Sequence, residues 1–298
     1  MDVTDELKAF VATAKAGSFT AAADQLGVSN RLTSKYVAEL EGRLGVRLFQ
    51  RTTRKVGLTP AGEDLLARAP ALLDELDDLL AEVSEGSRGL TGVIRISAPV
   101  SFGEVQVSGL LGRFAAKHPG LSFDLRLTDT FVDLASEGID LAFRIGQSEM
   151  LSLKARKLGE IRSVAVASPA YVAAHGAPGT PEDLAGHACI LDTNRRAARR
   201  WPFRKGGADR VTEVQGRFQV NSAKASVELA AAGLGIAYVP RFAVGNALEE
   251  GRLVTVLDVY EGLAVPLSAV YLEGRRLPRK VRALIDFAAE DVRAAGVF

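Results

Sequence analysis

Two short runs of polar and cationic side chains have the chemistry to contact the bases and the phosphates of a nucleic acid. Their members are Ser29, Asn30, Arg31, Thr33, Ser34, Lys35, Arg51, Thr53, Arg54 and Lys55. Asparagine pairs with the edge of adenine and arginine with that of guanine, whereas cations beside phosphates supply salt-dependent affinity. We therefore predict base contacts from Asn30 and Arg31 and phosphate contacts from Arg51, Arg54 and Lys55. A solvated basic surface that touches nothing is the alternative.

A second set of polar groups follows predicted strands and suits a small-molecule cleft. Its members are Ser101, Phe102, Thr130, Arg144, Asn221 and Ser222. Amides at the start of the helix after Pro99 favour an anion, and Arg144 can neutralise a carboxylate. Ordinary helix capping by Ser101 and Ser222, and an internal ion pair for Arg144, stay open as alternatives.

Catalytic and metal chemistry have little support in the sequence. His187 and Cys189 share one face of an extended strand, but the apolar run 188–191 predicts a buried strand, in which cysteine is inert. The segment 233–235 lacks the strand-turn-helix context of a dinucleotide site. The three histidines have no ligand spacing, and a single cysteine excludes an internal disulfide framework. We predict a protein that is not an enzyme and needs no metal or cofactor.

Charge is distributed by segment although the whole chain is nearly neutral. The 298 residues predict two or three domains, and the 47% hydrophobic content is ample for packed cores. Residues 18–60 hold seven cations against three acids, whereas residues 61–90 hold eight acids against two cations. The first segment suits a polyanionic partner, and the second would be repelled by one. No apolar run is long enough to span a bilayer, and the acidic start is unlike a signal peptide, so we expect a cytoplasmic protein.

The basic segment has the pattern of a winged helix-turn-helix module. Apolar residues at helical spacing predict a first helix that ends at Gly17, and Ser18 and Ser29 are positioned to cap a second and a third helix. Residues 46–49 and 55–59 then predict two short strands joined by the basic turn. In such a module the last helix offers its polar first turns to a groove of DNA.

Longer runs make this module resemble the DNA-binding domain of LysR-type transcriptional regulators. The runs are residues 17–29 (Gly-Ser-Phe-Thr-Ala-Ala-Ala-Asp-Gln-Leu-Gly-Val-Ser), 40–54 (Leu-Glu-Gly-Arg-Leu-Gly-Val-Arg-Leu-Phe-Gln-Arg-Thr-Thr-Arg) and 58–62 (Leu-Thr-Pro-Ala-Gly). The resemblance implies a helix-turn-helix at about 19–38 and double-stranded promoter or operator DNA as partner. Many members carry Gln-Pro where this chain has Asn30 and Arg31, so the base preference of other members does not transfer.

The acidic segment predicts a pairing helix. Leucine, alanine and valine recur with the 4-3 alternation of a coiled-coil seam at Leu65, Ala69, Leu72, Leu76, Leu79 and Val83. A second apolar row, at positions 66, 73 and 80, indicates more than one packing neighbour, and Pro70 predicts a bend. An ordinary helix folded onto its own domain is the alternative. The resemblance implies a homodimer and a homotetramer built from dimers.

The rest of the chain predicts a two-lobed α/β domain. A Gly- and Ser-rich run at 84–92 is a hinge. After it, strand patterns at 93–97, 121–127, 139–146 and 163–168 and a helical pattern at 104–117 predict βαβ units and a mostly parallel sheet. Two lobes crossed twice by the chain resemble the periplasmic-binding-protein clamp, which closes on a ligand outside the carboxyl ends of its strands. Three loops carry the polar groups named above, around Ser101, Thr130 and Asn221. They match the places where LysR-type regulators hold coinducers. Trp201 and Phe203 either line this cleft or, as we favour, pack the second lobe.

These patterns combine into one organisation of the chain. We assign 1–59 to the winged domain, 60–86 to the linker helix, 87–90 to the hinge and 91–298 to the effector domain. Lobe I is about 91–164 and 265–298, and lobe II about 165–264. The chain is identified as a LysR-type regulator controlled by a small, anionic metabolite, with RNA polymerase as a further candidate partner. A DNA-binding repressor with a vestigial clamp is the alternative, and a transport receptor is disfavoured because it would need export.

Overall fold

A computed structural model describes residues 2–51, 56–83, 89–146, 153–273 and 277–295. Contacts within the chain divide it into two units. The N-terminal unit comprises Met1–Gly92 with the short segments Asp133–Ile139 and Arg276–Arg279. The C-terminal unit comprises the remaining residues, Val93–Val132, Asp140–Arg275 and Lys280–Phe298.

Three helices begin the N-terminal unit, as the sequence predicts. They are α1 (Val3–Ala16), α2 (Phe19–Leu26) and α3 (Asn30–Leu44). The side chains of Ser18 and Ser29 cap α2 and α3 by accepting from backbone amides of their first turns. Gly17 ends α1 with a φ of 63°, a left-handed conformation that costs other residues energy.

The core of this unit packs the three helices against a small two-stranded sheet. The rings of Phe10 and Phe49 lie 5.4 Å apart, and Val37, Leu40 and Leu48 are buried beside them. Glu6 is 1% exposed, and its two carboxylate oxygens accept hydrogen bonds of 3.0 and 3.1 Å from the Arg43 guanidinium. This forked ion pair joins α1 to α3 and compensates the burial of the Glu6 charge.

The sheet of the wing is shorter than the sequence predicts. It consists of β1 (Phe49–Arg51) paired antiparallel with β2 (Val56–Leu58), whereas the alternation predicted a strand from residue 46. One oxygen of the Glu41 carboxylate accepts from the amides of Leu48 and Phe49, at 2.8 and 3.2 Å, and the other accepts from Arg47. Because the Leu48 amide is bound to this side chain, it does not serve a strand ladder.

The carboxylate of Glu41 is held in its charged form. Burial by itself would raise the pKa of Glu41, but the hydrogen bonds from Leu48, Arg47 and Phe49 outweigh it and hold the pKa below its ordinary value. Folding of this unit is therefore coupled to ionisation of a buried acid.

A long helix follows the wing. It is α4 (Pro60–Val83), which continues through Pro70, so the sequence correctly predicts a helix here. The predicted bend at Pro70 stays a prediction.

The C-terminal unit is built from alternating strands and helices. Its first half contains β3 (Gly92–Ala98), α5 (Val100–Phe102), a π-helical turn (Gly103–Val107), α6 (Ser108–Lys117), β4 (Leu121–Leu127), β5 (Leu141–Ile145) and β6 (Leu153–Ala167). The helix predicted over 104–117 thus starts four residues earlier and contains the π-turn. A Cβ at Gly103 would lie 2.1 Å from Cδ2 of Leu127, so a larger residue at this position would displace the Leu127 side chain.

The second half forms most of the other lobe. Its elements are α7 (Pro169–His175), a 3-10 turn (Pro181–Gly186), β7 (Cys189–Asp192), β8 (Arg200–Lys205), β9 (Ala208–Glu213), β10 (Phe218–Val220), α8 (Ala223–Ala231), β11 (Ile236–Pro240), α9 (Arg241–Val244), a 3-10 turn (Gly245–Ala247) and β12 (Val254–Val256). The chain returns through β13 (Glu261–Gly262) and β14 (Ala264–Leu272) to α10 (Arg279–Ala295).

Two lobes share one long strand. The first ten residues of β6 pair antiparallel with β14, and its last residues pair antiparallel with β11 and β12. Lobe I has the strand order β6-β14-β5-β3-β4 and lobe II the order β10-β7-β11-β6. Parallel pairs occur at β3 and β5 and among β7, β10 and β11. The mostly parallel sheet predicted from the sequence is therefore wrong, because the strands that cross between lobes are antiparallel.

Lobe II has its own apolar core, which includes the tryptophan. Trp201 and Phe203 lie on β8, are 1% and 3% exposed and pack on Tyr238, as the favoured prediction states. Cys189 is in the same core, where burial raises the pKa of its thiol to about 12. A thiol with such a pKa is not a nucleophile at neutral pH.

No helix in the described part of the chain is long and apolar enough to cross a membrane. Within the same residues, no three His, Cys, Asp or Glu side chains come together as metal ligands would.

We expect Glu41→Gln to loosen the start of the wing by about 1–2 kcal/mol, because charge-assisted hydrogen bonds become neutral ones and the Arg47 contact is lost. Hydrogen exchange of the Leu48 and Phe49 amides measures this directly. Since the folded-state pKa of Glu41 is lowered, its contribution is present at neutral pH and is lost as pH falls below the ordinary value of 4.5. Wild-type protection, corrected for intrinsic exchange, therefore falls in that range, and the variant shows no such fall.

Glu39→Gln is the matched control, since Glu39 pairs only at 3.8 Å with Lys35 on the surface of the same helix. Equal protection of the Leu48 amide in wild type and Glu41→Gln would contradict this account of the wing.

Candidate functional site

The first turn of α3 presents the polar side chains that the sequence assigns to base reading. Ser29 caps the helix through a 3.2 Å bond from the Leu32 amide, so the helix starts with Asn30. Asn30, Arg31, Ser34 and Lys35 are all exposed. The helix thus offers one amide, one guanidinium, one hydroxyl and one ammonium group along its exposed first turns.

Asn30 is held by neighbours on two sides. Its Nδ2 donates to Oγ1 of Thr20 on α2 at 3.0 Å, and its Oδ1 accepts from the hydroxyl of Ser34 at 3.4 Å. Thr20 is absent from the site residues predicted from the sequence. Its place in the first turn of α2, the helix before the recognition helix α3, is the sequence feature that could have identified it.

Thr33 is not a contact residue, and its prediction as one is corrected. Its side chain is 0% exposed, and its hydroxyl donates to the Ser29 carbonyl at 3.2 Å. Positions three and four residues apart share a helix face, and Thr33 shares the core-facing side with Val37 and Leu40. A polar residue type alone therefore gave the wrong orientation.

The predicted phosphate contacts lie at the edge of what the structure describes. The backbone of Arg51 ends β1. Thr53, Arg54 and Lys55 fall outside the described residues, so their roles stay predictions.

The apolar residues of α4 divide into two groups. Leu65, Leu66, Ala69 and Leu73 pack on the core of their own unit, with Ala69 3% and Leu73 8% exposed. The assignment of Leu65 and Ala69 to a seam between chains is therefore corrected. Leu72, Leu79 and Leu80 are 60%, 48% and 58% exposed. They leave an apolar face on the C-terminal half of the helix, with Leu76 half-buried between them.

In the C-terminal unit, three loops meet at the carboxyl ends of the lobe I strands. Ser101 follows β3, Asp129 and Thr130 follow β4, and Arg144 lies near the end of β5. One carboxylate oxygen of Asp129 accepts from the Val100 amide at 3.0 Å, which fixes two of the loops to each other. The Thr130 hydroxyl bonds that of Thr128 at 2.8 Å and is exposed.

Lobe II faces this edge through three polar contacts. The hydroxyls of Ser101 and Ser222 share a 3.4 Å hydrogen bond. The Asn194 amide donates across the lobes to Asp129 at 3.0 Å. Within lobe II it also donates to the Asn221 carbonyl at 2.6 Å. Lys224 and Glu104 form an ion pair of 3.5 Å. The structure thus brings Ser101, Asn221 and Ser222 together, as predicted, and adds Asp129 and Asn194, which the sequence analysis missed although both follow strands. Ser222 also caps α8, so capping and lining are compatible.

Arg144 is a half-buried cation with an unsatisfied donor. Its Nη1 makes two long hydrogen bonds of 3.4 Å, to Ser97 and to the Phe143 carbonyl, and its Nη2 is buried with no hydrogen-bond partner among the described residues. Burial lowers the pKa of this guanidinium. Among the described residues no carboxylate lies within ion-pair distance of it, while the exposed ring of Phe131 lies 5.9 Å away.

Lobe II contributes a second desolvated arginine. Arg195 lies 4.4 Å over the Tyr238 ring and donates to the Ser163 hydroxyl at 3.2 Å, and burial lowers its pKa. Asp192, which ends β7, is 6% exposed, and burial raises the pKa of its carboxyl. Arg195 is close enough to Asp192 to oppose that rise.

Phe102 does not line the cleft, and its prediction is corrected. It is 3% exposed, and its ring packs on Phe242 at 5.2 Å and Phe143 at 6.2 Å. The side chain that follows Ser101 on α5 therefore belongs to the core between the lobes.

Comparison with family models gives two matches that together span almost the whole chain. Residues 4–63 match the bacterial regulatory helix-turn-helix protein, lysR family. Residues 87–293 match the LysR substrate binding domain.

Full-length relatives and solved structures agree with these matches. An HTH-type transcriptional regulator of Haemophilus influenzae is 37% identical over 95% of this chain and 99% of its own. PtxR, an HTH-type transcriptional regulator of Pseudomonas aeruginosa, is 35% identical over 96% and 92%. CrgA, a LysR-type transcriptional regulator from Neisseria meningitidis, is 30% identical with a TM-score of 0.63 over 96% and 98%. The Vibrio cholerae virulence activator AphB is 30% identical with a TM-score of 0.61 over 97% and 99%.

Proposed function

The chain belongs to the LysR family of transcriptional regulators, and from that premise we propose that it binds an operator through the first turn of α3 and responds to an anionic metabolite held between lobes I and II. The observation that carries the DNA-binding half is the capped, exposed helix start with Asn30 and Arg31 side by side. The effector-binding half depends on the Nη2 of Arg144, which has no hydrogen-bond partner within the described ranges.

The division of labour on DNA follows from residue chemistry. Asn30 matches the donor and acceptor of adenine, and Arg31 matches the two acceptors of guanine, each pair worth about 1–3 kcal/mol of discrimination. Ser34 and Lys35 lie beside them on the exposed turns of the same helix. The cations of the basic turn, Arg51, Arg54 and Lys55, contact phosphates, which supplies affinity that falls with salt.

The effector class follows from the electrostatics of lobe I. A buried guanidinium without a counter-ion is unfavourable, and a carboxylate ligand would supply both the charge and the missing acceptor. The hydroxyls of Ser101, Thr130 and Ser222 and the amide of Asn221 supply neutral hydrogen bonds around it. The alternative is a repressor with a vestigial clamp. The Ser101–Ser222 and Asp129–Asn194 hydrogen bonds support this alternative, because they link the lobes without any ligand.

The partners and compartment follow from the same proposal. We infer a homodimer paired through the exposed leucines of α4, which assembles into a homotetramer, in the cytoplasm, where chromosomal DNA is found. RNA polymerase is a candidate partner. We propose no catalytic role. Burial raises the pKa of the Cys189 thiol to about 12, so this thiol would not act as a nucleophile at neutral pH.

Arg31→Ala is expected to relax sequence preference at one base pair by about 1–3 kcal/mol, because its contacts are to a base edge. Arg54→Ala is expected to weaken binding to every duplex alike and to reduce the slope of log affinity against log salt by about one unit. Binding across site variants at several salt concentrations separates the two effects. An identical loss for both variants on every duplex would refute this division.

At ligand concentrations near the wild-type Kd, Arg144→Gln is expected to lose most of the stabilisation that carboxylate ligands give. A thermal-shift screen of mono- and dicarboxylates identifies an acid that raises the melting temperature of the wild type. The variant should bind that acid at least tenfold more weakly, because a charge-assisted hydrogen bond is lost. Without ligand the variant should melt no lower than wild type, since a cation without a counter-ion leaves a half-buried position.

Arg126→Gln is the control, since Arg126 is an exposed lobe I arginine paired with Asp124. Stabilisation of Arg144→Gln by the same acid at the same concentrations would exclude Arg144 as the anchor. An absence of any stabilising ligand for the wild type would favour the vestigial clamp.

Leu79→Glu, alone or with Leu72→Glu, is expected to dissociate the dimer, because a carboxylate would be buried in the seam. Sedimentation or light scattering at micromolar protein measures the mass. Val259→Glu is the matched control, as Val259 is a 64% exposed aliphatic residue of the C-terminal unit. If the double variant with Leu72→Glu and Leu79→Glu keeps the mass of the wild-type assembly, this face of α4 is not the pairing surface.

A further inference from the structure

Thr20 lies on α2, outside the recognition helix, yet its hydroxyl contacts the amide that we assign to base reading. We propose that Thr20 is a positioning residue, which together with Ser34 fixes the Asn30 carboxamide so that it prefers adenine at one base pair of the operator. This inference rests on the proposed function, because it requires that Asn30 meets a base edge.

The contacts with Thr20 and Ser34 limit the donors and acceptors that the Asn30 carboxamide can offer to a base. A carboxamide has two N–H donors and two acceptor lone pairs. In the structure one donor of Asn30 serves Thr20, at 3.0 Å, and one lone pair serves Ser34, at 3.4 Å. One donor and one acceptor remain. The same count holds with the amide turned round, because a hydroxyl both donates and accepts.

The remaining pair matches one base better than the others. Adenine offers an acceptor at N7 and a donor at N6 in the major groove, which one donor and one acceptor satisfy together. Guanine offers two acceptors, N7 and O6, and the Asn30 amide has only one donor left for them. A free asparagine has a second donor to offer guanine, so the contacts of Thr20 and Ser34 sharpen the preference.

Thr20 is suited to this role because it is fixed to the scaffold. It lies two and three residues before Ala22 and Ala23, which are 0% and 2% exposed and anchor α2 to the core. Ser18 caps the same helix through the Ala21 amide. Thr20 itself is exposed, so its hydroxyl is not required for packing. The contact joins residues ten apart in sequence and restricts rotation of the Asn30 side chain before DNA arrives, which reduces the entropy cost of binding.

The test selects duplexes from a randomised library with the full-length wild-type protein and with Asn30→Ala. The base pair whose preference disappears in Asn30→Ala is the one that Asn30 reads. Affinities are then measured for the selected duplex and its three single-base-pair replacements. We expect A·T at this position in the wild type. In Thr20→Val the preference should fall about fivefold, the effect of one neutral hydrogen bond, with the salt slope unchanged. Thr20→Ser should retain the preference, and Ser34→Ala should lower it.

A double variant separates positioning from a direct contact. In the Asn30→Ala background, Thr20→Val should change no affinity ratio, because Thr20 acts only through the amide. An equal loss on all four duplexes with a shallower salt slope would mean that Thr20 touches a phosphate, and an unchanged ratio would mean that it positions nothing; either overturns the inference.

Failure of the proposed function gives a different result. The wild type would then select no sequence, or Asn30→Ala would retain every preference. Melting temperatures confirm that each variant is folded, and the Ser34→Ala variant tests the inference independently if Thr20→Val is destabilised.

Discussion

Two charged side chains, the buried Glu41 carboxylate and the half-buried Arg144 guanidinium, differ in how completely their hydrogen bonds are satisfied, and this difference underlies what each unit is suited to do. The carboxylate of Glu41 accepts three hydrogen bonds and so ties the recognition helix to the first strand of the wing. The guanidinium of Arg144 keeps a buried donor that no other described residue satisfies. A fully bonded charge makes a rigid joint, whereas an unsatisfied one leaves free energy available to a ligand. The first case suits a module that must hold a fixed shape against DNA, and the second suits a sensor.

The same contrast applies to the two sets of polar side chains that face outward. Asn30, which we propose contacts a base, is already restrained by a residue from a neighbouring helix, so such a contact would cost little rotational freedom. In the cleft, the hydroxyls of Ser101 and Ser222 bond each other across the lobes, so a ligand there must replace contacts that already exist. In the proposed function, selectivity for an effector comes from the groups that are not already paired among the described residues, above all Arg144.

Much of this could be predicted from the sequence, and the failures have physical causes. Caps at Ser18 and Ser29 and the left-handed glycines are local signals, and the three helices formed where those signals placed them. The predicted strand does not start at residue 46 because the Glu41 carboxylate binds the backbone amides of Leu48 and Phe49, seven and eight residues later in the chain. The first half of β6 was missed because its charged residues hide the alternation, and the antiparallel crossing depends on contacts distant in sequence. Thr33 and Phe102 were misassigned because a residue type does not give the direction of its side chain.

The linker helix shows why an apolar repeat cannot identify its partner. Leu65, Ala69, Leu72 and Leu79 fit one heptad seam equally well, since the repeat specifies only that a face is apolar. In the structure the first two pack on the core of their own unit and the last two are exposed. This division has a consequence for function. Because the first half of α4 is fixed to the winged core, any pairing through its second half also fixes where that core sits along the dimer axis. In a dimer paired in this way, the distance between the two α3 helices would depend on α4, and only half-sites with a matching spacing would be bound together.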